Sequence, residues 1–77
     1  MTTNGIIIYP NPVLSMATIE GAAGASVRIH DMNGKALLEK TISNDIETID
    51  LSSLSAGIYY AEILSETKKQ IIKLVKN

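Results

Sequence analysis

Asp50-Leu51-Ser52-Ser53-Leu54-Ser55-Ala56-Gly57-Ile58-Tyr59-Tyr60-Ala61-Glu62-Ile63-Leu64 is the stretch whose reading decides the fold. Two leucines three residues apart stand in a run that is otherwise small and polar, so they are the parts of a turn that tuck under a core. Gly57 follows and lets the backbone swing upward at a φ that other residues resist. Tyr59 opens a long strand pattern, with its ring turned inward and its hydroxyl free to tie the turn back. That order describes a tyrosine corner, the device by which immunoglobulin-like sandwiches start a late strand.

Strand patterns surround the corner on both sides. Gly5 to Tyr9 is a β-favouring run stopped by Pro10-Asn11-Pro12, where two prolines remove two backbone donors. Val13 to Glu20 reads as a second strand with Ala17 and Ile19 on one side. Ala25 to Asp31 alternates, with Val27 and Ile29 against Arg28 and His30. Asp31-Met32-Asn33-Gly34-Lys35 closes a hairpin, and Lys35 to Ile42 returns from it. Ile46 to Leu51 is a short strand in which Ile49 and Leu51 share a face. After the corner, Tyr59, Ala61 and Ile63 line one face and Ile58, Tyr60, Glu62 and Leu64 the other, as in a central strand covered on more than one side. Lys69 to Lys76 is the last strand. Seven short strands at turn spacing give an all-β chain, an immunoglobulin-like antiparallel β-sandwich.

Composition narrows what such a chain can do. Seventy-seven residues allow one domain over residues 5–77, behind a short lead over residues 1–4. A chain of this size buries only about 60% of the surface its unfolded form exposes. There is no Phe, Trp or Cys, so the core is aliphatic and contains neither disulfides nor thiolate metal sites. A net charge of −1 gives no field for nucleic acid. No apolar run reaches the roughly 20 residues of a membrane span, and Met1 to Gly5 lacks the plan of a signal peptide. The short lead suits a fragment cut from a longer precursor.

Catalytic constellations are not legible. His30 is the single histidine and reads as a surface residue; no second His or Cys exists to complete a nucleophilic or zinc site. Asp45, Glu47 and Asp50 alternate with apolar residues as a strand's wet face does. The expectation is a non-enzyme with no cofactor, metal or small-molecule substrate. One charge feature stands out: no acidic residue follows Glu66, whereas Lys68, Lys69, Lys73 and Lys76 carry four of the seven basic groups. Lysines protect edge strands from unwanted pairing, and they equally suit a terminal docking strand read by charge and exposed backbone.

Four blocks then carry a family resemblance: Ile8-Tyr9-Pro10-Asn11-Pro12, Val27 through Lys35, Leu51 through Tyr59, and Lys69 through Lys76. Taken together and in this order, they resemble the C-terminal sorting domain of type IX secretion cargo. The resemblance implies an export signal on Gram-negative precursors, fused to an N-terminal cargo protein. Its partners would be the outer-membrane translocon, a shuttle protein and a surface sortase that removes the domain. By similarity, recognition falls on Gly57 and Tyr59 and on the terminal segment, with Lys69, Lys73, Leu74, Val75 and Lys76. The cut would lie in or beside Met1 to Gly5. The route would run through the periplasm to the cell surface.

Two rival readings remain at this level. One is an immunoglobulin-like or fibronectin-like spacer or interaction module retained on an extracellular protein. The other is a carbohydrate-binding module, for which only Tyr9 and Tyr60 are left as exposed aromatic platforms.

Overall fold

Period-two alternation sorts this chain's aliphatic residues onto one face of each strand, and two such faces bury one another. The structure, a computed structural model, describes residues 5–77; the lead over residues 1–4, and most of the segment expected to hold the cut, lies outside them. The strands are β1 (Ile7–Tyr9), β2 (Met16–Glu20), β3 (Ser26–His30), β4 (Ala36–Thr41), β5 (Ile46–Asp50), β6 (Gly57–Leu64) and β7 (Lys69–Lys76). One sheet has the order β1-β2-β5 and the other β4-β3-β6-β7, with every pairing between them antiparallel. The chain changes sheets between β2 and β3, between β4 and β5, and again between β5 and β6. This is the immunoglobulin-like sandwich, with β5–β6 as its corner.

The core is as aliphatic as the composition requires. Ile19, Ile29, Ile42, Leu51, Ile63 and Leu74 are the largest fully buried side chains, joined by Val13, Val27 and Ala61. Tyr59 is the one aromatic ring in this layer. At the β3–β4 hairpin, Asp31 Oδ1 accepts from the N–H groups of Asn33 and Lys35 at 2.9 Å each. Gly34 takes φ 87° there, so the sequence's hairpin turn forms as expected. Gly21 takes φ 85°, and a Cβ added to it would lie 2.8 Å from the Gly5 carbonyl oxygen, which admits only glycine where the chain enters β1.

Three expectations need correction. Val13 is not part of β2; it leaves the small sheet and forms an isolated parallel bridge with Lys76 of β7. Pro12 lacks the N–H that a ladder needs, so β2 starts only at Met16. The strand β6 is central, between β3 and β7, but only one of its faces is sealed. Its outer face carries Ile58 at 38% exposure and the half-buried Tyr60, Glu62 and Leu64, because no further layer packs there. His30 does lie on that outer face, yet it is not a free surface histidine: both ring nitrogens meet oxygen partners, Gly34 O at 3.2 Å and Glu62 Oε1 at 3.1 Å.

Candidate functional site: the corner and the last strand

The corner forms from local hydrogen bonds before any packing is counted. Asp50 Oδ1 accepts from Ser52 N at 2.9 Å, and these Ser52 hydrogen bonds hold the Asp50 carboxyl below its ordinary range. Leu54 N donates to Leu51 O at 3.0 Å, closing the turn, and Leu51 N reaches across to Ser15 O at 2.7 Å. Leu51 is buried and Leu54 half-buried, which is why a polar run carries them three apart. The Tyr59 hydroxyl donates to Ser55 O at 2.6 Å, tying the start of β6 back to the turn. Gly57 takes φ 158°, a backbone conformation that L side chains rarely adopt, as the sequence predicts, while a Cβ there would meet only Tyr59 Cε1 at 3.9 Å.

Register joins the corner to the last strand. Gly57 lies opposite Lys76, Ile58 opposite Val75, Tyr59 opposite Leu74 and Tyr60 opposite Lys73, while Lys69 lies at the far end opposite Leu64. The structure therefore brings Gly57, Tyr59, Leu74, Val75 and Lys76 together at one end of the sheet. Lys69 and Lys73 alternate with Ile71 and Val75 on the outer face, and both lysines are exposed. Leu74 and Lys76 point the other way and are buried, so the expectation that they face a partner is corrected. Leu74 is core, and Lys76 spends its ammonium on Asn77 O at 3.1 Å.

The free edge of β7 is partly closed by residues that the sequence reading passed over. Asn11 Nδ2 donates to Lys73 O at 2.9 Å, and Val75 N donates to Asn11 Oδ1 at 3.0 Å. The carboxamide thus acts as a single peptide group in a ladder, and its orientation follows from partners that can only accept and only donate. Val13 N donates to Val75 O at 2.8 Å, and Asn77 N to Val13 O at 2.9 Å. A signal for this clamp was present in the sequence. Between two prolines without N–H groups, the Asn11 side chain is the loop's main hydrogen-bonding group, and Val13 is an apolar residue with no place in a loop unless buried.

A polar band crosses the outer face of the four-stranded sheet. Arg28 meets Glu39 at 3.2 Å, and Glu62 receives both His30 at 3.1 Å and Lys69 at 3.2 Å. The hydrogen bond from His30, then that from Lys69, holds the Glu62 carboxyl below its ordinary value. Beside this band a shallow groove of about 350 Å³ runs between Met32, Tyr60 and Ile71. On the opposite sheet, Tyr9 donates its hydroxyl to Glu20, and that bond raises the Tyr9 pKa. Its ring is anchored rather than held out as a platform.

A family model for the secretion system C-terminal sorting domain matches residues 7–77. The chain belongs to that family. The sorting domain is also similar in fold to a solved structure of PorZ from Porphyromonas gingivalis, described as an essential bacterial surface component of the type-IX secretion system. The TM-score is 0.78 at 23% identity, over 95% of this chain and 11% of that one. The sorting domain thus spans about a tenth of the PorZ chain it matches. No curated protein matches the sequence. The family places the chain among type IX sorting signals, and the reading as a retained spacer module is not favoured.

Proposed function

We propose that residues 5–77 act as a signal read by binding. On an exported precursor the domain folds in the periplasm, and the outer-membrane translocon, with its shuttle protein, takes hold of β7. A surface sortase then removes the domain upstream of β1 and releases the cargo to the cell surface. No catalytic group of the domain takes part. The observation that carries this reading is the placement of β7: an edge strand whose outer face presents Lys69 and Lys73, with a corner that fixes its position. Gly57, Tyr59, Leu74 and Lys76 serve it by holding the strand in register; Lys69, Lys73 and Val75 lie where a partner can reach them.

The test fuses the chain behind an exported reporter in a host with a type IX system and measures reporter at the cell surface. Lys73→Glu, a substitution at an exposed position that leaves the core intact, is expected to lower surface delivery about tenfold, the effect of one lost charge-assisted contact. Deletion of Lys69 through Asn77 is expected to abolish it. Unchanged delivery from the deleted chain would remove β7 from the mechanism.

A further inference from the structure

The outer edge of β7 is closed along one half and open along the other. Successive residues of an antiparallel strand turn their N–H and C=O groups alternately toward a neighbour and away from it. Groups of Lys73, Val75 and Asn77 point away from β6, since Asn11 and Val13 hold them there. Period two turns the main-chain groups of Lys69 and Ile71 the same way, and no hydrogen-bonding partner among the described residues meets them on that side. Beside this open half lies a cleft of about 490 Å³ between the sheets, with apolar walls from Ile6, Ala22, Ala25 and Ile63 and a polar rim that includes Lys68 and Gln70. The opposite flank is closed: Lys40 of β4 reaches Glu47 of β5 at 3.5 Å, and Ile42 N donates to Ala25 O at 2.8 Å.

Resting on the reading of β7 as the recognised strand, we infer that this open lane seats an extended segment of a partner protein, added to β7 along Lys69–Lys73. The segment alternates acidic and apolar residues. On an added strand, one set of side chains turns inward to the cleft and the other outward, beside the lysine face. The inward position takes a single aliphatic side chain, as Val13 already does farther along the same edge, where it is fully buried. The outward position takes a carboxylate. On that face Lys73 has no carboxylate within ion-pair distance among the described residues, whereas Lys69 is engaged by Glu62. Main-chain pairing supplies the affinity, and the cleft and lysines select the sequence.

Two substitutions test the lane separately in the reporter fusion carrying the full chain. Ile71→Pro removes only an outward-pointing N–H, so β7 keeps its bonds to β6. Ala23→Leu fills the cleft from its exposed rim and leaves the edge alone. Each variant is expected to melt like the parent chain and to deliver about tenfold less reporter to the surface. If Ile71→Pro melts early, Ala23→Leu decides alone. Normal delivery from both variants, with Lys73→Glu still impaired, overturns the added strand and leaves the reading of β7 as the recognised strand standing; normal delivery from all three overturns the added strand and removes Lys73 from the recognised surface. A photo-crosslinker at Gln70 that joins to the fusion's own chain upstream of Gly5 also overturns the proposal, since the cleft would then be filled from within.

Discussion

Tyr59 and Asn11 do the same kind of work at two places in the fold. Each uses one side chain to stand in for missing backbone pairing, Tyr59 at the turn before β6 and Asn11 along the edge of β7. Tyr59 announces itself in the sequence because a glycine and a strand pattern flank it. Asn11 does not, because its partners lie 62 and 64 residues away. Removing the phenolic hydroxyl leaves the ring packed and the Ser55 carbonyl without its donor. Tyr59→Phe is therefore expected to cost about 1 kcal/mol, read as a lower urea midpoint with an unchanged slope. No loss of stability would mean that the tyrosine is held by its ring alone.

At the scale of elements, β6 and β7 form the longest pairing in the molecule, eight residues on each side, and carry the charged band on their outer face. Glu62 sits at the junction, between His30 of β3 and Lys69 of β7. Its folded pKa lies below the ordinary 4.5, chiefly through His30 and then Lys69. The unfolded chain therefore binds the proton more readily, and the stabilisation is fully present above pH 4.5 and lost as pH falls through the folded value. Urea midpoints measured from pH 7 down to pH 3 are expected to decline below about 4.5, and Glu62→Gln is expected to flatten part of that decline. A variant whose acid slope equals the parent's would show that the band contributes nothing to stability. Alternation sets β7 at its observed bounds and β3 and β5 to within a residue, whereas β6 begins two residues before Tyr59, where the pattern opens. The start of β2 was not readable, because Val13 satisfies the strand pattern while pairing with the other sheet.

For the whole molecule, one thin core serves both sheets, so single deletions are felt everywhere. A chain of this length holds roughly 4–12 kcal/mol of folding free energy. Ile63→Ala, at a fully enclosed site on β6, is expected to remove about 2–5 kcal/mol of it and to lower the melting temperature by about 10 °C or more, followed by circular dichroism. A shift of only a few degrees would mean that the core collapses around the missing atoms. From the amino-acid order alone came the all-β class, the turns, the corner and the lysine-bearing last strand, since each rests on period-two patterning or on turn chemistry within a few residues. The burial of Lys76 and Leu74, the pairing of His30 with Gly34 and Glu62, and the half-closed edge of β7 were decided only in the folded molecule. Which face of a strand is covered, and which edge is already occupied, depends on contacts between segments dozens of residues apart, and no local pattern records them.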